Sequence, residues 1–410
     1  MPESSPTLPS ARPHELERYA ALLRETEQVR GKSPARIAWQ RLRKRWSAMI
    51  SLTFLVVLGL LAFFTPLLPL QAPRAVQMTR AAQPPEFFNE ARMIGAETEA
   101  IPREIRYFPP ILTNVQEKDK NGKLVEIKKE VKPPNPDLEL LQTGFGYEDL
   151  GVLSQWLLRC RVQLFGSWSW NSWCGTDHLG RDLLSRIFWG ARLSIATALV
   201  ATFVSLVIGV TYGSVAGYLG GRIDNAMMRI VDVLYAIPFV FVVIFLMTLL
   251  ENQQYKEALA SIGINRMVIF FLMIGALFWL TMSRVVRGQV LALKHQQFVE
   301  AARSLGAGNW WIIRKHLIPN LLSIVIVYLT LTIPSVMLVE AFLSFLGLGV
   351  RPPDVSWGLL ANEGRLAITP VVFHWWQVVF PGAAIALTLY SLNFLGDGLR
   401  DAMDPRLRNR

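Results

Sequence analysis

The chain reads as an all-α membrane protein, with six helices crossing the bilayer and an extracytoplasmic segment inserted between the first two. Three observations carry that reading. Of 410 residues, 52% are hydrophobic and only 18% charged, whereas ordinary globular domains carry about 25% charged residues. The charges are missing in blocks, and six blocks come close to or exceed the roughly 20 apolar residues that span a bilayer. Lys and Arg gather at alternate ends of those blocks, as they do on the short cytoplasmic loops of membrane proteins.

The blocks free of Asp, Glu, Lys and Arg are Ser47–Leu70, Leu193–Gly221, Val233–Leu250, Met267–Ser283, His316–Val339 and Leu366–Gly396. The third and fourth are short, and amphipathic flanks lengthen them. Lys32, Arg36, Arg41, Arg43, Lys44 and Arg45 precede the first block. Arg284, Arg287, Lys294, Arg303, Arg314 and Lys315 lie between the fourth and fifth, and Arg400, Arg406, Arg408 and Arg410 follow the sixth. The short loops Glu251–Arg266 and Gly347–Arg365 hold two basic residues each. Both termini are therefore expected in the cytoplasm, and the basic excess of 42 − 31 = +11 is assigned to topology, not to nucleic acid. No cleavable leader is read, because the first apolar run begins only near Met49.

The expected organisation is a cytoplasmic segment with an amphipathic helix (1–46), a first span (47–70), an extracytoplasmic insertion (71–192) and a five-helix core (193–410). The first half of the insertion is rich in proline, with Pro84, Pro85, Pro102, Pro109, Pro110, Pro133, Pro134 and Pro136. Ile111–Glu117 and Lys123–Lys132 flank Asn121-Gly122, a hairpin signal; the alternative is an irregular solvated loop. Cys160 and Cys174 share this segment, either as a disulfide, which an oxidising compartment preserves, or as two free thiols. Trp168, Trp170 and Trp173 fit an interfacial belt or a receptor-facing surface, and His374-Trp375-Trp376 fits a second belt.

Little in the chain points to catalysis. Gly31-Lys32-Ser33 resembles the end of a phosphate-binding loop, but Thr26 stands where that loop needs glycine, and His14–Val29 reads as a polar amphipathic helix. There is no CxxC pair, and neither the five histidines nor the carboxylates have metal-ligand spacing. No metal site and no catalytic group are expected.

The loop of about 284–320 is more informative. It runs Glu300-Ala301-Ala302-Arg303-Ser304-Leu305-Gly306, then Asn309-Trp310-Trp311, then Leu317-Ile318-Pro319-Asn320. The pattern predicts a helix stopped by a left-handed glycine, a second short helix, and a fifth span opened by Pro319. By composition alone, a plain connector and a docking element fit equally well.

These residues resemble the EAA loop of ABC importer permeases. His316 where the general pattern has Ile, and Ile318 before Pro319, are similar to the oligopeptide and dipeptide branch. So are Gly175-Thr176-Asp177-His178-Leu179-Gly180-Arg181-Asp182, leading to Gly190-Ala191-Arg192, and Ser344-Phe345-Leu346-Gly347-Leu348-Gly349-Val350, leading through Pro352-Pro353 to Ser356-Trp357-Gly358. The resemblance covers about Arg41 to the C-terminus, except about Ala75 to Trp170, an insertion relative to that branch.

The resemblance implies the type I importer permease fold and a non-enzymatic transport subunit in a bacterial inner membrane, moving oligopeptides, dipeptides or peptide-like solutes. It implies a second, unlike permease chain, two cytoplasmic ATPase subunits that carry the ATP and Mg, and an extracytoplasmic solute-binding protein. This chain is expected to bind no cofactor. Glu300 is implied as a polar contact with the ATPase, Ala301 and Ala302 as points of close approach, and Gly306 as the turn. Arg303, Arg314 and Lys315 fit orientation charges better than specific contacts. Glu340, a carboxylate flanked by apolar helix, is a pathway or a structural residue. Two other readings stand beside this one: a permease of the same fold for nickel or another small solute, and a membrane-anchored partner-binding or assembly protein.

Overall fold

Helices form along every uncharged block of the computed structural model, which describes residues 34–85, 112–118, 124–130, 144–165, 169–170, 172–252, 259, 266–369 and 373–403. In chain order they are α1 (Pro34–Lys44), α2 (Trp46–Phe63), α3 (Val152–Phe165), α4 (Leu183–Leu219), α5 (Gly221–Ala236), α6 (Phe239–Glu251), α7 (Arg266–Leu293), α8 (Gln297–Ser304), α9 (Asn309–Ile312), α10 (Ile318–Phe345), α11 (Trp357–Leu366) and α12 (Trp376–Met403). Two strands, β1 (Leu112–Lys118) and β2 (Leu124–Glu130), pair antiparallel with Val115 opposite Ile127. The Asn121-Gly122 turn, the Gly31-Lys32-Ser33 stretch, the 14–29 helix and Trp168 lie outside the described residues.

Five of these helices are long and apolar enough to span a membrane, and the α5–α6 pair, bent by 78°, makes a sixth crossing if it is counted as one span. The bend falls at Ile237-Pro238. Pro238 has no N–H to continue the helical ladder and pushes the residue before it out of helical geometry, and Ile237 is extended. Other bounds also move from the expected ones. The first helix stops at Phe63 instead of Leu70, and the chain leaves it through a 3-10 turn holding Pro66. The second begins ten residues early, because Asp182 caps it by accepting the Ser185 N–H at 2.7 Å. The sixth begins at Trp376, since α11 runs to Leu366 and an antiparallel bridge joins Ile368 to Phe373 ahead of it.

The core is built on the α4–α7 pair. Ala201, Ser205, Gly209, Gly213 and Gly217 recur every fourth residue along α4, and all are buried. This is the small-residue seam that lets membrane helices approach closely. A Cβ at Gly213 would collide with the Ser283 carbonyl oxygen of α7, and one at Gly209 would stand 2.6 Å from Met282 Cβ. One apolar cluster joins this pair to α10 and α12 through Ile274, Val336, Leu343 and Trp376. A second lies at the C-terminal ends of α4 and α7, where Tyr218 and Val290 meet Val299 of α8, Ile312 and Leu321. α2 runs beside α12, with Ala48 against Gly398 and Arg45 paired to Asp401 at 2.5 Å.

Candidate coupling site and a charged clasp

The bundle has two functional-looking ends. At one, α8 follows α7 after a short turn and lies across the end of α4. Val299 and Ala302 face inward, while Glu300, Ala301 and Arg303 are exposed. Successive helical residues point about 100° apart, so Ala301 is exposed while Ala302 is mostly buried, yet both line the same open groove. Arg303 is a packing residue, its guanidinium 5.5 Å from the centre of the Tyr218 ring.

The helix ends in a Schellman turn. Gly306 has φ +81°, its N–H reaches the Arg303 carbonyl at 3.0 Å, and the Ala307 N–H reaches that of Ala302 at 3.1 Å. Both bonds satisfy carbonyls that a helix end leaves open. Leu305, just before that glycine, is 88% exposed. Its side chain borders an open groove of about 720 Å³ with Phe298, Ala301, Gly306, Trp311 and His316. Pro319 is exposed in the first turn of α10, where no helical N–H partner is needed. The arrangement offers an apolar prominence with one carboxylate beside it, suited to docking. The prominence of Leu305 was legible as a bulky apolar residue next to a helix-ending glycine, though it stayed outside the expected set.

At the opposite end two buried polar clusters fasten the helices. Glu340 lies within α10, beyond its expected end at Val339, and is fully buried. It accepts from Ser194 Oγ of α4 at 3.1 Å and from Ser344 Oγ at 2.9 Å, with the Ser356 hydroxyl as a third donor. Ser194 in turn accepts the Trp357 N–H of α11 at 3.2 Å.

The second cluster is charged. Asp177 accepts from Arg181 Nε and Arg186 Nη1, both at 2.6 Å, and Arg186 also donates to Glu363 of α11 at 2.5 Å and 3.1 Å. Burial opposes ionisation of Asp177, but Arg186 and Arg181 more than offset it and hold the carboxyl below the usual range. Thr176, in the same loop, receives Trp376 Nε1 and Gln377 Nε2 on its carbonyl, each at 3.1 Å. Trp376 is thus a buried fastening residue, not a member of a belt; Trp375 beside it is exposed. Trp170 and Trp173 stack on each other with ring centres 5.6 Å apart.

Cys160 and Cys174 are both free, which corrects the disulfide reading. Cys174 is buried in the main core near Leu183 and Trp376, whereas Cys160 sits on α3 beside that helix's buried face. Burial, then the nearby Asp182 carboxylate, push the Cys174 thiol up to about 12. Among the described residues no group of three or more His, Cys, Asp or Glu is placed to hold a metal ion.

Residues 209–409 match the family model described as the binding-protein-dependent transport system inner membrane component, and residues 33–85 match the N-terminal TM domain of oligopeptide transport permease C. The dipeptide transport system permease protein DppC of Bacillus subtilis is 46% identical over 236 residues, which cover 58% of this chain and 69% of that one. The chain belongs to the OppC/DppC-type ABC permeases. The oligopeptide permease OppC of Escherichia coli K12 is 44% identical to this permease over 57% of the chain and 72% of its own. The glutathione permease GsiD of Pectobacterium atrosepticum is 38% identical over 58% and 73%. Among solved structures, the inward-facing MetNI methionine transporter aligns with 54% of this permease and 98% of its own chain at TM-score 0.42 and 19% identity. The permease is thus a multi-pass inner-membrane transport subunit of an ABC importer. ATP hydrolysis belongs to separate subunits of the complex. The relatives favour neither a small-solute permease nor an anchored assembly protein.

Proposed function

We propose that this permease imports oligopeptides, dipeptides or peptide-like solutes as one of two unlike permease chains. Two cytoplasmic ATPase subunits bind beneath, carrying ATP and Mg, and an extracytoplasmic solute-binding protein delivers the substrate. The names of its relatives, which handle dipeptides, oligopeptides and glutathione, support the substrate class. The distribution of Lys and Arg supports cytoplasmic termini, with α8 on the cytoplasmic side and residues 71–192 outside. Residues between 85 and 209 fall outside both matched stretches, which supports an insertion, and the β1–β2 pair is its ordered hairpin.

The observation that carries the coupling role is the shape of α8. Its inward face is fixed to α4 and the start of α10, while Glu300, Ala301 and Leu305 project outward from a rigid turn. A docked ATPase that moves when it binds ATP displaces this element, and the core to which it is fixed follows. Arg303 and Gly306 hold the element's shape, and Pro319 starts the helix that carries the motion across the membrane. Glu340, enclosed by hydroxyls from two other segments, is a fastening residue of the outer end and not a pathway residue.

Two measurements test this. Mild-detergent purification of the tagged permease should recover a second permease and P-loop ATPase subunits; recovery of the chain alone, under conditions that preserve other importers, would sink the proposal. Gly306→Val places a β-branched residue in left-handed backbone, at a cost of about 1–2 kcal/mol, although a Cβ there meets open space. Peptide uptake and ATPase recovery should both fall while membrane insertion persists. Undiminished uptake would argue against coupling through this turn.

A further inference from the structure

α3 belongs to the inserted segment and leaves a continuous apolar arc uncovered. Leu153, Trp156 and Leu164 are 52%, 59% and 68% exposed, with half-buried Cys160 among them, while the exposed Val152 at the start of the helix falls on the polar edge. Successive residues turn by about 100°, so Trp156, Cys160, Leu153 and Leu164 fall within one sector. Exposed Arg159 and Gln163 lie together on one side of that sector, and the face that holds Ser154, Leu157, Leu158 and Arg161 lies on the other, buried against the protein. Around its axis the helix therefore passes from polar edge to apolar arc to protein.

Two hydrogen-bonded pins set the level of α3 against the spans. Arg161 donates to the carbonyls of Leu68 and Leu70 at 3.1 Å and 2.8 Å, and these residues end the first charge-free block. Near the other end of α3, Ser154 Oγ accepts from Arg192 Nη2 at 2.6 Å, and Arg192 is the last charge before the second block. Both pins stand where a hydrophobic run meets charged sequence, so the helix extends between two points on one membrane boundary. The apolar arc is continuous in character with the exposed Leu60, Phe63 and Phe64 at the end of α2, the span to whose exit α3 is pinned.

We propose that α3 is an interfacial helix whose arc around Trp156 lies in the lipid of the leaflet it borders. Amphipathic helices of this kind lie in the interface plane with the apolar face in the acyl boundary. Tryptophan favours that depth, and Arg159 reaches the headgroups by its long stem. The helix thereby anchors the inserted segment to the bilayer beside α2 and α4, independently of which solute is carried.

The test uses nitroxide labels on the assembled transporter in vesicles of phosphatidylethanolamine and phosphatidylglycerol. Leu153→Cys, Trp156→Cys and Gln163→Cys are made in a Cys160→Ser background, with buried Cys174 left in place. All three sites are exposed, so labelling leaves the packed face intact. Collision with dissolved oxygen should exceed collision with an aqueous nickel complex severalfold at 153 and 156, and the order should reverse at 163. Nickel access equal to that at 163 would show a solvated face and overturn the proposal. Shielding of 153 and 156 from both probes would show a protein partner over the arc and overturn it equally.

Discussion

Cys174 and Asp182 illustrate how burial decides the chemistry of single residues in this permease. With its thiol pushed up to about 12, Cys174 is not a thiolate at neutral pH, and thiolates are the reactive form. A maleimide added to the folded transporter should leave Cys174 unmodified; prompt labelling of Cys174 would show that the core around Leu183 and Trp376 opens. Burial pushes the Asp182 carboxyl up to about 7, although the Ser185 N–H and the Arg80 charge pull it down part of the way. Between about pH 4 and pH 7 the folded chain then keeps a proton that the unfolded chain has lost, and stability falls as pH rises through that window. Asp182→Asn keeps the α4 cap and removes the titration. The melting temperature of this variant in detergent should vary less with pH across that window than that of the unchanged protein.

At the scale of the element, the α4–α7 seam leaves no room for a side chain. Gly213→Leu drives a side chain into the Ser283 backbone, with which a Cβ alone already collides; overpacking of this kind costs about 1–3 kcal/mol or more. Gly59→Ala in α2 is the matched control, since its Cβ meets nothing within 4 Å and alanine favours helix by about 1 kcal/mol. Thermal unfolding in detergent should separate the two, the first variant lowered and the second unchanged or raised. The helices themselves were legible because a missing charge is a local signal, read one block at a time. The left-handed stop at Gly306 was legible from another local signal, a glycine directly after a helical pattern. The limits of the first and sixth spans were not, because Pro66 and the α11 turn act on residues as apolar as the helices beside them. The seam was not among the expectations: its four-residue repeat of small residues lies in the sequence, but nothing there names the helix it faces. Two pairs join α5, the first half of the bent span, to α7: Arg287 with Asp224 at 2.5 Å, and Arg284 with Asp232 at 2.7 Å. Two of the arginines that signalled orientation thus also hold a broken span in place.

At the scale of the whole molecule, the Asp177–Arg181–Arg186–Glu363 clasp and the Glu340 hydroxyl cluster join one end of the bundle, while α8 and Leu305 occupy the other. Neither cluster was readable beforehand, because the partners are far apart in the chain and a charge in a loop looks solvated until its neighbour is known. Glu363→Gln leaves fully buried Arg186 with a single carboxylate, and loss of one member of a buried ion pair typically costs about 3–5 kcal/mol. Glu363 keeps some exposure, which places the expected loss at the lower end. It should appear as faster proteolysis of the Thr176 loop and a lower melting temperature; unchanged values would mean that Asp177 alone suffices for Arg186.

The clasp also imposes an order on manufacture. Arg186 leaves the ribosome long before Glu363, so the nascent chain must place α4 in the bilayer with a guanidinium answered only by Asp177. Glu363, and then Trp376 and Gln377 reaching back to Thr176, complete that end only when the last span is made. A chain interrupted before α11 therefore leaves this end unfinished, with the Arg186 guanidinium short of its second carboxylate and the Thr176 carbonyl short of its two donors.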